Sequence, residues 1–207
     1  FASSAASDVY KRQYMFNALA TSPCHALIDT GAQDGVVGLW HWQRWVVCLA
    51  LCFDLQPKFR KVPKEAEAGG IGGSAKVIAV CDMPGGIAGL NTLTRWVVLD
   101  EPDPSQRVPP LIPIRLLKDL DAVHEPKHRR LTLRICNVET TLEELETGHQ
   151  TTMMTCFSPE GWKLPEDFYV DNEDTGVSPF AFDPELNGKP NETYALDDRL
   201  DPSKLVQ

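Results

Sequence analysis

Residues Ala26-Leu27-Ile28-Asp29-Thr30-Gly31-Ala32 constrain this chain more than any other run, because an apolar, strand-forming stretch ends directly in Asp-Thr-Gly. Asp and Gly favour turns for different reasons: the carboxylate accepts backbone N–H groups two positions on, and the glycine has no Cβ to clash. A chain that passes from a buried strand into such a turn holds one carboxylate on a tight, hydrogen-bonded loop. A second copy, Asp174-Thr175-Gly176, follows Asn172-Glu173 in an acidic stretch and has no apolar approach. Each chain therefore offers one carboxylate of this kind.

With 207 residues, 23.0 kDa and 43% hydrophobic side chains, the chain is long enough to bury a core, as one domain with appendages. Its net charge of -9 argues against nucleic acid as the main partner, but the charge is unevenly placed. Residues 136–207 hold 16 Asp/Glu against 4 Lys/Arg, a balance of -12, which leaves +3 for residues 1–135. The six cysteines show neither CxxC spacing nor a dense secreted-type framework, which points to reduced thiols in a cytoplasmic setting. No apolar stretch reaches the roughly 18–20 residues of a membrane span, and no signal peptide opens the chain, so a soluble protein is expected. Residues 1–14, including Ala6 to Gln13, read as a non-native or disordered N-terminus, and the chain as part of something longer.

Cys24 to Ile28 reads as a short strand, and Gly35-Val36-Val37-Gly38 returns to extended structure after the turn. Trp42, Trp45, Val46, Leu49 and Phe53 then recur at helical spacing, a buried stripe closed off by Pro57 and the charges from Lys58 to Lys64. Ala68 to Gly73 is too rich in glycine for an ordinary strand. The runs 75–81 and 95–99 read as β, with turns at Pro84-Gly85-Gly86 and Asn91. Val108 to Pro113 is extended, Ile114 to Leu120 a short helix, and Arg130 to Ile135 a final strand. Beyond Cys136 the pattern gives one helix, Leu142 to Glu146, in an otherwise largely disordered acidic linker or tail.

In this order and spacing, residues from about Thr21 to Ile135 resemble the retropepsin-like aspartic proteases of retroviruses and retrotransposons. Leu27 to Ala32 matches the catalytic loop, Gly70-Ile71-Gly72-Gly73 the glycine-rich flap, and Trp96 to Glu101 a core strand. Leu111 to Leu117 matches the apolar segment entering the late helix. The helix between loop and flap looks like the inserted helix of ubiquitin-shuttle relatives and retrotransposon proteases. The resemblance implies a mainly β half-barrel over residues 15–135, with one inserted helix, a short late helix and an irregular acidic tail over 136–207. Two positions depart from the family pattern: Pro113 stands where Gly is usual, and His124-Glu125-Pro126 where Ile-Asp-Leu is usual.

The implied activity is that of a homodimeric aspartic-type endopeptidase, acting on an extended peptide or on its own polyprotein without a metal or other cofactor. Asp29, Thr30 and Gly31 would be the catalytic residues, with Thr30 bonding across the dimer. Ala32, Gln33, Asp34, Gly70, Ile71, Gly72 and Gly73 would bind substrate. The alternative, favoured by the two departures, is a catalytically inactive module that dimerises or binds peptides. An actin-like or sugar-kinase phosphate loop fits poorly, because the further glycine-rich and acidic motifs it needs are missing.

Other chemistry-bearing residues have plainer readings. His25 and His41 lack Cys or His partners at metal spacing and read as structural. Cys48 and Cys52, one helical turn apart, read as core thiols. His124, Lys127, His128, Arg129 and Arg130 read as a solvated basic cluster with no direct nucleic-acid role.

Overall fold

Leu27 and Ile28, the last residues of an apolar run, lie beside Leu111 and Ile112 in a parallel pair, and this pairing organises the sheet. The computed structural model describes residues 21–60, 67–70, 73–101, 103, 107–163 and 199. The expectations for residues 1–14, and for residues 164–207 apart from Arg199, lie outside the described residues.

The described chain is mainly β, with two α-helices. Its strands are β1 (His25–Ile28), β2 (Gly35–Gly38), β3 (Lys58–Arg60), β4 (Glu67–Gly70), β5 (Gly73–Ile87), β6 (Leu90–Leu99), β7 (Leu111–Ile112), β8 (Ala122–Glu125), β9 (Arg130–Leu133), β10 (Val138–Thr141), β11 (Glu143–Glu144) and β12 (Gln150–Met153). Helix α1 spans Leu39–Phe53 and helix α2 spans Ile114–Asp119. Among the described residues the main sheet runs β11-β12-β1-β7-β2-β6-β5-β3, with β4 paired to β5, and β10-β9-β8 forms a second sheet. Past β12 the chain reaches the far end of β5: the Gly86 N–H donates to the Met154 carbonyl at 2.8 Å, and the Cys156 N–H to the Gly86 carbonyl at 3.0 Å. The main sheet thus curls back on itself.

Glycine makes that closure possible. A Cβ on Gly86 would lie 2.7 Å from the Cys156 backbone, and one on Gly85 would lie 2.5 Å from Thr92 Oγ1. Pro84-Gly85-Gly86, expected as a turn, is therefore the interior of β5. The reversal falls instead at Ala88-Gly89, whose φ values of 53° and 85° match the right-handed strand twist of a tight hairpin.

Helix α1 follows the apolar spacing: Trp42, Trp45, Val46 and Leu49 are buried, while Phe53 is 40% exposed and stacks edge-on with Phe157. It ends at Asp54, in the left-handed region with φ 55°, ahead of Pro57, and the basic run expected beyond it begins with strand β3. Trp45 meets Trp96 of β6 edge-on, centroids 5.0 Å apart, at the centre of a core that also takes Val98, Ile112 and Leu116.

The largest correction concerns residues 138–153. Where a helix over 142–146 within a disordered linker is expected, three strands form, and Leu142 is 2% exposed. β12 pairs antiparallel with β1, His25 opposite Met153 and Leu27 opposite Thr151, so these residues complete the sheet that carries Asp29. Thr151 and Thr152 are buried, which β-branched side chains tolerate well on a pleated surface.

Candidate functional site

The Asp29 loop spans the end of a threaded strand. β1 and β2 flank β7, parallel to the first and antiparallel to the second through Val36 and Leu111, and residues 29–34 connect them. The segment leading into β7 is Val108-Pro109-Pro110. Proline fixes an extended φ without donating a hydrogen bond, and the flanking carbonyls do the tethering. The Leu27 N–H donates to Pro110 O at 2.7 Å, and the Gly38 N–H to Val108 O at 2.9 Å.

At the tip, the Gly31 N–H donates to Asp29 Oδ1 at 2.8 Å, and the Ala32 N–H to the Asp29 carbonyl at 3.2 Å. One carboxylate oxygen is thereby fixed by the loop's own backbone. A Cβ on Gly31 would lie 3.2 Å from Oδ1 and crowd this arrangement. The Ala32 carbonyl accepts the Ile114 N–H at 2.8 Å, tying the loop to the start of α2. Pro113 caps that helix with φ -71° and ψ 147°, a backbone proline adopts without strain, so this departure is accommodated where it stands.

Asp29 and Ala32 are half-buried, whereas Thr30, Gly31, Gln33 and Asp34 are exposed, so the loop lies open on one face. Asp29 to Asp34 are therefore brought together. Gly70 and Gly73 face each other across the β4–β5 hairpin, a separate element, and Ile71 and Gly72 lie outside the described residues. The second departure keeps a strand: β8 pairs with β9, His124 Nε2 lies 2.8 Å from Gln150 Oε1, and Arg130 Nε donates to Glu125 at 2.6 Å.

Glu101 is the supporting residue that sequence reading misses. Its carboxylate accepts the Trp40 N–H at 2.8 Å and the Val108 N–H at 2.5 Å, so it caps α1 and holds the segment entering β7. Burial lifts its carboxyl above the usual carboxylate range, against the pull of those two donors. Gly38, at the helix N-cap, leaves room for it, since a Cβ there would overlap the carboxylate. The available signal is a helix that opens on Gly38 with no Ser, Thr, Asp or Asn cap of its own. Glu101→Ala is expected to lower stability by about 2–3 kcal/mol, the scale of two charge-assisted hydrogen bonds, and Glu101→Gln by less. Denaturant titration of both variants checks this.

His41 sits on the same end of α1 and is 5% exposed. Burial, with the nearby Arg107 charge, lowers its pKa from 6.5 to about 4. The folded state binds this proton more weakly than the unfolded chain, so the stability it confers is complete above pH 6.5 and is lost as pH falls towards 4. The ceiling of that effect is about 3 kcal/mol. The wild-type melting temperature should fall across that window, and more shallowly in His41→Phe; equal slopes would remove His41 as the cause.

No protein-family model matches this chain, and no curated protein matches it. Among solved structures, the crystal structure of the retroviral protease-like domain of Ddi1 from Leishmania major is similar at 20% identity and a TM-score of 0.33. The match covers 55% of this chain and 80% of that one. Among the described residues no helix is long and apolar enough to cross a membrane.

Proposed function

We propose that this chain is one half of an aspartic-type endopeptidase, in which Asp29 and the same residue of a second copy activate a water molecule between them. The observation that carries the reading is the Asp29 loop itself. A half-buried carboxylate stands at the end of a core strand, one oxygen fixed by the Gly31 N–H, on an open face pinned from beneath by β7 and α2. A twofold pairing of that face would set two identical carboxylates close together.

Two carboxylates about 3 Å apart cannot both ionise, so the pair shares one proton and titrates as a unit. The ionised member takes a proton from the water as it attacks the scissile carbonyl. The protonated member donates to the developing oxyanion, and the proton then passes to the leaving amine. No covalent intermediate is required. Thr30, exposed in a single copy, would bond across the pair, and Gly31, Ala32, Gln33 and Asp34 would line the approach of an extended peptide. The β4–β5 hairpin, in which Gly70 pairs with Gly73, would close over that peptide and exclude water, with Gly70, Ile71, Gly72 and Gly73 as the proposed contacts. Suitable substrates include extended segments of a polyprotein that carries the domain.

Hydrolysis of a denatured protein by the purified chain at mildly acidic pH, stopped by a statine-type inhibitor, tests the reading. Cleavage insensitive to the inhibitor would count against the carboxylate pair. Inhibitor binding without cleavage would identify a peptide-binding module instead.

A further inference from the structure

Trp162 and Arg199 are held at opposite ends of β6. Trp162 Nε1 donates to the Thr92 carbonyl at 2.9 Å, near the start of the strand. Arg199 Nη1 donates to Asp100 Oδ1 at 2.9 Å, one residue beyond its end, and the Arg199 carbonyl accepts Gln43 Nε2 of α1 at 2.8 Å. A single residue of the C-terminal segment thus joins α1 to the stretch that follows β6. At about 3.3 Å per residue, Thr92 and Asp100 are roughly 26 Å apart, a span that residues 164–198 are long enough to cover within one copy.

The face that receives Arg199 carries two further charges. The Arg44 and Arg107 guanidiniums stand over the half-buried Trp40 ring, 4.5 and 3.9 Å from its centroid, and the exposed Arg44 follows Gln43 directly in α1. In sequence, residues 164–198 hold 10 Asp/Glu against a single Lys, and Asp197 and Asp198 come immediately before Arg199. We propose that Trp40, Gln43, Arg44, Asp100 and Arg107 form a docking surface for the chain's own acidic C-terminal segment, fixed there by Arg199.

The charges match on both sides: the segment brings a guanidinium to Asp100 and carboxylates to a face with two guanidiniums. An exposed ion pair contributes little by itself, since water screens it and two long side chains must be ordered. Tethering supplies the difference, because a segment joined to its own docking surface meets it at an effective concentration on the order of millimolar. The position also has a consequence for the candidate site. Asp100 precedes Glu101, which caps α1 and holds Val108 ahead of β7, so the docked segment braces the junction that supports the Asp29 loop.

The test is amide hydrogen exchange of the full chain, read by mass spectrometry on peptides covering residues 38–45 and 197–207. In the wild type both are expected to be protected, and Arg199→Glu should speed exchange in both by about three- to fivefold, the scale of one exposed ion pair and one hydrogen bond lost together. Asp100→Lys should do the same, and Asp100→Lys combined with Arg199→Glu should restore protection. Raised salt should weaken it in the wild type. A wild-type C-terminal peptide that exchanges without protection, or one that Arg199→Glu leaves unchanged, would overturn the assignment. Protection of that peptide that disappears on dilution would overturn it too, by showing that the segment of a second copy occupies the face. None of these outcomes depends on whether the chain cleaves peptides.

Discussion

Asp29→Asn is expected to abolish peptide hydrolysis while leaving the fold intact, with a loss of about 100- to 10,000-fold, the range one general acid–base group supplies. Asn keeps the shape of the side chain and its carbonyl oxygen, so the 2.8 Å acceptance of the Gly31 N–H can survive. What disappears is the negative charge that takes a proton from water, and in a symmetric pair it disappears from both sides. Turnover of a peptide substrate, measured beside circular dichroism and the melting temperature, separates chemistry from folding. Full activity in the variant would remove Asp29 from the mechanism.

The second large effect is on stability. Trp96→Ala is expected to cost about 3–5 kcal/mol, because a fully buried indole leaves a cavity its neighbours only partly fill. Trp96 is 0% exposed and stacks on Trp45, and its register partner on β2 is Gly35, the first residue after the Asp29 loop. A Cβ on Gly35 would lie 3.2 Å from the indole ring and 2.5 Å from the Arg95 carbonyl. The loop therefore returns to the sheet directly against Trp96. Trp96→Ala should shift the denaturation midpoint strongly, and Trp96→Phe much less; a loss under about 1 kcal/mol for the alanine variant would mean the indole is not packed as described.

Where signals were local, the sequence was readable. The Leu27-Ile28 approach and Asp-Thr-Gly specify a strand and its turn within a few residues, and the helical spacing of Trp42, Trp45, Val46 and Leu49 survives in the buried face of α1. Leu111 to Leu117 likewise yields β7 and α2. Non-local pairing hid the rest. Val138 to Met153 reads as polar because its strands use threonine and glutamate, and β12 finds its partner at β1, more than a hundred residues back. The acidity of the whole tail also outweighs a short buried stretch within it. Gly85 and Gly86 read as a turn, since sequence alone does not distinguish a glycine needed for reversal from one needed for close approach by another backbone. Glu101 escaped because its partners, Trp40 and Val108, meet it only once β6, α1 and the lead-in to β7 are assembled.

One mixing experiment bears most directly on the shared site. Wild-type chain is combined with Asp29→Asn chain in equal amounts under exchange conditions, at a fixed total concentration well above that needed for association. If each site takes one Asp29 from each of two copies, activity should fall to about a quarter of the all-wild-type value, because only pairs of two wild-type copies work. Activity that falls only in proportion, to about half, would show that a single copy carries a complete site and would contradict the pairing.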